Sequence, residues 1–244
     1  MAASETAQTV PASASQSLVA RFFGVVFSPR ATYAGVAAQP RWFGMLATIA
    51  ILAGAGTFAF MSTDVGKQAW LDTAVRQQES FGRTVTDEQY ARMEQMQKYA
   101  PYFSVVSVVV LPVMAAIVAA ILLGVFNALL GGDASYTQVL AIVAHSGAIL
   151  PISQLVALPI AYARETLSGV TNLMVFMPFL DENSFAARFL GTIDLIYVWW
   201  ILSLAIGLGV LYKRRTGPIA TSLMTVYVVI ALVVAVAKTA FAGA

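Results

Sequence analysis

The sequence holds a single histidine, His145, in the middle of a run from Ala134 to Ala163 that contains no Asp, Glu, Lys or Arg. Polar groups this deep in an apolar run are candidates for function, because hydrocarbon penalises them by several kcal/mol unless they are paired or hydrated. Asn127, Ser153 and Gln154 also sit in charge-free runs, and Asp194 stands at the lip of another. Three chemistries are open to such a set. A histidine among amide side chains could line a hydrated transport path, respond to protons, or act as general base for a serine. The last needs a hydroxyl from another segment, since Ser146 beside His145 would point about 100° away around a helix. The structural reading of His145, a neutral ring hydrogen-bonded across helices, is the favoured one. Asp194 reads first as a helix-capping carboxylate. One histidine without further ligands builds no metal site, and with zero cysteines there is no thiolate ligand, disulfide or cysteine nucleophile. No cofactor is expected. The HExxH, nucleophile-elbow and P-loop patterns are missing, so the expectation is a protein that is not an enzyme.

The elements that position these residues are legible from charge-free length. Five stretches lack charged residues: Trp42 to Thr63, Tyr99 to Gly132, Ala134 to Ala163, Leu195 to Tyr212 and Thr216 to Ala237. At about 1.5 Å per residue each can cross a hydrocarbon core about 30 Å thick, the shortest with slight thinning. With 59% hydrophobic and 11% charged residues the composition leaves the soluble range, where about 25% are charged. The fold class predicted is all-α, a polytopic bundle of five transmembrane helices with an N-terminal interfacial helix and an external helical hairpin. The bilayer is therefore its first partner, and a net charge of +2 predicts no nucleic-acid surface.

Residues 1–15 are small and polar and read as a disordered tail without a secretory signal. Residues 16–41 read as an interfacial amphipathic segment, with Leu18, Val19, Phe22, Phe23, Val26 and Phe27 on the apolar face, Arg21 opposite, and Pro29 and Pro40 as helix stops. The alternative is that this segment packs against the protein's own bundle. The membrane domain then covers 42–244, with spans at about 42–63, 102–130, 137–163, 194–212 and 217–239 and loops at 64–101 and 164–193.

Loop 64–101 is long enough for two helices. The stretch from Val65 to Ser80 is expected to extend the first span, Phe81-Gly82-Arg83 to turn, and Thr86 with Gln89 to form a capping box. Glu88 with Arg92 and Glu94 with Lys98 are i,i+4 pairs, and Tyr90, Met93 and Met96 are expected inward. In loop 164–193 the uncharged run from Thr166 to Leu180 is short for a span and broken by Pro178, so it reads as an interfacial or re-entrant cap, with a sixth span as alternative. Ser184 is expected to cap a short helix. Pro151 and Pro159 are expected to kink the third span, whose start Asp133 or Ser135 would cap, and Gly207 and Gly209 to admit a neighbouring helix. Lys213-Arg214-Arg215 fills the shortest turn between spans, which places the N-terminus in the cytoplasm and the C-terminus outside, in a cell membrane.

Several of these segments together resemble the Yip1 family of five-span proteins. They are Val26-Phe27-Ser28-Pro29 with Thr32-Tyr33; Gly131-Gly132 with Ser135-Tyr136 and Gln138; Leu150-Pro151; and Gly191 with Asp194-Leu195-Ile196-Tyr197-Val198-Trp199 running to Gly207. The resemblance implies a membrane scaffold with a cytoplasmic N-terminus. Eukaryotic relatives are tied to Rab GTPases and vesicle traffic, and some bacterial members accompany export systems, which makes an ABC-type permease a candidate partner. The expected function is a scaffold or accessory subunit that binds another membrane protein or a second copy of itself. The alternative is a small transporter or channel using the kinked third span, with Asn127, His145, Gln154 and Asp194 as its polar residues.

Overall fold

The computed structural model describes residues 16–167, 169–181 and 184–242, so the tail expected at 1–15 lies outside the described residues. Helices dominate, and among the described residues there is no strand, only an isolated bridge between Asn172 and Asp194. Ser17 opens α1 (Leu18–Phe27) by accepting from the Ala20 N–H, and Ser28-Pro29 breaks it from α2 (Pro29–Ala38). Proline at the first position of α2 is tolerated because its missing N–H has no intrahelical partner there.

Next come α3 (Trp42–Met61), α4 (Asp64–Glu79), α5 (Asp87–Met96) and α6 (Ala100–Leu123). A single 3-10 turn joins α5 to α6, and α6 runs on into a π-helical turn, Gly124–Leu129. The third apolar run divides into α7 (Tyr136–Ser146) and α8 (Ile149–Ala163) at Gly147-Ala148. Then follow α9 (Phe185–Thr192), α10 (Leu195–Leu211) and α11 (Thr216–Ala242). Four helical stretches are long and apolar enough to cross a membrane: Trp42–Met61, Asp87–Leu129, Tyr136–Ala163 and Thr216–Phe241. The fifth predicted span, α10, is equally apolar but has 17 residues.

At the centre stands α7, in which every residue from Val139 to Ser146 is buried. A helix apolar on all sides belongs inside a bundle. Its core contacts come from Tyr33 and Val36 of α2, Ala119 and Leu122 of α6, Leu204, Ala205 and Leu208 of α10 and Ile219 of α11. One end of the bundle gathers the α1–α2 hairpin with the α6–α7 and α10–α11 turns: Gln138 donates to the Ala37 carbonyl (3.2 Å) and Arg214 to that of Leu130 (2.7 Å). The other end gathers α4, the segment after α8 and the close of α11. There Arg76 donates to Thr166 Oγ1 (3.1 Å), and Arg188 to the Lys238 carbonyl (2.7 Å).

Four expectations are corrected. The first span does not continue as α4. Thr63 accepts from the Gly66 N–H and starts a new helix, folded so tightly that a Cβ on Gly66 would lie 2.0 Å from the Phe60 oxygen. In α5 the capping box and the Glu88–Arg92 pair form, but Tyr90 and Met96 are exposed, and only Met93 turns inward, accepting from Gln78. Lys98 forms no ion pair with Glu94 and lies 5.0 Å over the Tyr99 ring. The amphipathic segment is a hairpin of two helices rather than one, and Arg21 is not on its outer side: Phe22 and Val25 are buried while Val19, Phe23 and Phe27 are exposed.

The run at 166–180 folds as a short cap with one 3-10 turn, Leu173–Phe176. Ser184 caps α9, Ser135 rather than Asp133 caps α7 in a capping box with Gln138, and the interruption of the third span falls just before Pro151.

Candidate functional site: a polar seam beneath the amphipathic hairpin

His145 is fully buried at the end of α7. Its Nδ1 lies 2.7 Å from the Ala141 carbonyl, one turn earlier, and its Nε2 lies 3.3 Å from Nη1 of Arg21. Since a carbonyl accepts and a guanidinium only donates, the ring carries its proton on Nδ1 and accepts at Nε2. Both ring nitrogens are thereby occupied. A serine hydroxyl within reach, which hydrolysis would require, is replaced by an arginine.

Arg21 comes from α1, where it shares a face with Val25, four residues on. The same Nη1 also reaches the Arg41 carbonyl (3.4 Å), while its buried Nε has no partner. Burial, and then the nearby Arg41 charge, hold the Arg21 pKa below its ordinary value, yet a guanidinium remains charged in proteins.

Two further contacts continue the seam. Ser146 is fully buried, donates to the Val143 carbonyl (2.8 Å) and accepts from the Trp200 indole (3.0 Å). Tyr33 of α2, also fully buried, shares a 2.6 Å hydrogen bond with Ser203 of α10. Gly207 admits this contact. A Cβ there would stand 2.5 Å from Cγ2 of Ile142 and 3.0 Å from the Tyr33 ring. Arg21, Ser146, Trp200, Tyr33 and Ser203 thus fasten the hairpin to α7 and α7 to α10, and at the buried His145, Ser146, Tyr33 and Ser203 an unmade bond costs about 1–3 kcal/mol.

The other predicted site residues lie elsewhere and are not brought together. Asn127, in the π-helical turn, donates to the Ala134 carbonyl (2.7 Å) and accepts from the Tyr212 hydroxyl (2.9 Å), so it ties the α6–α7 turn to the end of α10. Tyr212 in turn stacks on Phe126. Gln154 of α8 reaches α3, donating to the Ala53 carbonyl (3.4 Å) and Thr57 Oγ1 (3.3 Å).

Asp194 sits at the opposite end of α10. One carboxylate oxygen caps the helix by accepting from the Ile196 N–H (2.7 Å), and the other accepts from the Thr171 hydroxyl (2.6 Å). Its own N–H donates to Tyr227 of α11 (2.8 Å), and Leu195 N–H donates to the Thr171 carbonyl. Asp194 therefore clamps the short cap and α11 onto the start of α10.

The geometry does not align these groups along one path. Each joins a different pair of segments and holds those segments in register. Among the described residues no three His, Asp or Glu side chains converge as metal ligands would.

The segments that carry the family resemblance hold helices together, some in this seam and some at the joints outside it. Tyr33 packs on Gly207, Gln138 bonds to α2, Gly132 lies against the Tyr212 ring, and Asp194 opens α10. No curated protein and no solved structure matches the chain. The family model for the Yip1 domain matches residues 23–237, from α1 to the last turns of α11, and the chain belongs to the Yip1 family of membrane proteins.

Proposed function

We propose that this protein is a non-enzymatic membrane scaffold or accessory subunit that crosses the bilayer five times and associates laterally with other membrane proteins. The observation that carries the reading is the commitment of the intramembrane polar groups. His145, Ser146, Ser203, Gln154 and Asn127 each bind a backbone carbonyl or a side chain of the bundle. What the bundle offers outward is apolar helix surface. The hydropathic windows of the second and last long helices are 11% and 17% buried, against 67% for α7 and α8. A scaffold needs such faces; a transport path needs hydrated polar ones.

Topology follows charge density. Placing the Lys213-Arg214-Arg215 turn in the cytoplasm puts the N-terminus and the α1–α2 hairpin there too, and the α4–α5 hairpin and residues 164–193 outside. With 17 residues, α10 spans about 25 Å, which a slightly thinned bilayer accommodates. The partners proposed are a second copy of this chain or the membrane subunit of an export system, the latter drawn from the family resemblance.

The test is crosslinking in native membranes followed by purification of the full chain. A discrete larger species containing a second copy or one identified membrane protein supports the reading; a strict monomer with no crosslinked species sinks it.

A further inference from the structure

At the end of the bundle where α10 turns into α11, a cleft of about 590 Å³ is lined by Arg30, Lys213, Arg214, Arg215, Gly209 and Gly217, among others. Arg30 arrives from α2, far away in sequence, so the concentration of positive charge is made by the fold and not only by the Lys213-Arg214-Arg215 run. All four basic side chains are exposed. Arg214 donates to the Leu130 carbonyl, whereas Arg30, Lys213 and Arg215 make no side-chain hydrogen bond or ion pair among the described residues. Asp133, on the neighbouring turn, pairs with none of them.

The backbone fixes where the cluster stands. The turn is a Schellman close: Arg214 N–H bonds to the Gly209 carbonyl (2.9 Å), and Lys213 occupies the left-handed position with φ 52°. Glycine is the usual residue there, because a Cβ is disfavoured in that conformation. A lysine is held instead, and it lines the cleft. Thr216 and Gly217, the first residues of α11, complete the lining, and no acid stands in that helix's first turn. The N–H groups that open a helix add to a field that favours an anion. Around Gly217 there is room, since an added Cβ would meet nothing within 4 Å.

We propose that this cleft binds a phosphate group, supplied by the headgroup of an anionic phospholipid in the adjoining leaflet. Three free cations from two segments fit a phosphodiester, which offers several acceptor oxygens and one negative charge. The position, at the end of two apolar helices, leaves the acyl chains in the hydrocarbon beside α11.

The experiment uses the full chain in phosphatidylcholine nanodiscs with and without added phosphatidylglycerol, reading retained lipid by native mass spectrometry. Each of Arg30→Gln, Lys213→Gln and Arg215→Gln is expected to weaken phosphatidylglycerol retention about fivefold, and the triple variant on the order of a hundredfold. Arg83→Gln with Lys98→Gln, at the opposite end, is expected to leave retention unchanged. Thermal melting of the triple variant in phosphatidylcholine alone checks that it folds. Equal retention by the triple variant and the unsubstituted chain overturns the site. Saturable binding of inorganic phosphate that is lost in the triple variant, without selective retention of phosphatidylglycerol, overturns the lipid as its source.

Discussion

Gly207→Ala places one methyl group at the crossing of α2, α7 and α10. The added Cβ would stand 2.5 Å from Ile142 Cγ2 and 3.0 Å from two Tyr33 ring atoms. Ordinary carbon contacts lie at about 3.5–4.0 Å, so something must retreat by about 1 Å. Neither neighbour is free to do so: Ile142 is fully buried and β-branched, and Tyr33 is fully buried and tied to Ser203. Overpacking of this kind costs about 1–3 kcal/mol. Against it stands the gain of about 1 kcal/mol from replacing glycine by alanine inside a helix.

Gly124→Ala separates the two effects, because that residue is helical and its Cβ would meet nothing within 4 Å. In reversible denaturation of the purified chain by sodium dodecyl sulfate, Gly124→Ala is expected to stabilise. Gly207→Ala should fall below it by about 1–3 kcal/mol. The Ile142→Ala background removes the clashing methyl, so Gly207→Ala should cost less there, with a coupling of about 0.5–3 kcal/mol. Equal behaviour of the two alanines, or no coupling to Ile142, would refute the reasoning that glycine admits the hairpin.

Three shorter predictions follow from the same contacts. Arg21→Gln shortens the donor to His145, whose ring is fully buried; loss of the hydrogen bond is expected to cost about 1–3 kcal/mol. Hydrogen exchange should then rise in α1 and α2 before α7, and uniform protection across all three would contradict the fastening role. Asp194→Ala removes the cap of α10 and the acceptor of Thr171, for about 1 kcal/mol from the cap alone. Limited proteolysis should nick 166–180 faster, and an unchanged rate would count against the clamp. Because the chain has no cysteine, single cysteines report sidedness directly. Arg83→Cys and Arg215→Cys are expected to label from opposite sides of sealed vesicles, and same-side labelling would break the odd-span topology.

What was legible in the sequence was what local chemistry decides. Asp194 and Ser184 cap helices because a short polar side chain precedes an apolar run, and Thr86 with Gln89 does the same reciprocally. Gly207 read as a close-approach point because it interrupts large aliphatics. The partners were not legible, since His145 meets Arg21 across 124 residues and Tyr33 meets Ser203 across 170.

Arg21 was misplaced for a physical reason. In a membrane-associated helix lipid and protein both cover apolar side chains, so exposed Phe23 and Phe27 look like core and push the arginine to the wrong side. Its i,i+4 relation to buried Val25 was the signal available. The break before α4 was marked as well, by Thr63-Asp64 followed by Gly66, a capping pattern hidden by the expectation of a continuous helix.

The polar seam holds the bundle together, and its centre at His145 and Ser146 is dry. Ser146→Cys tests it with a small change at a fully buried position, in a chain with no other thiol. Treated with a membrane-impermeant thiol reagent from each side of native vesicles, Ser146→Cys is expected to stay unlabelled until the protein is denatured, while Arg83→Cys and Arg215→Cys label at once. Labelling of the cysteine in the folded protein would reveal water at His145 and contradict the account in favour of a transport path.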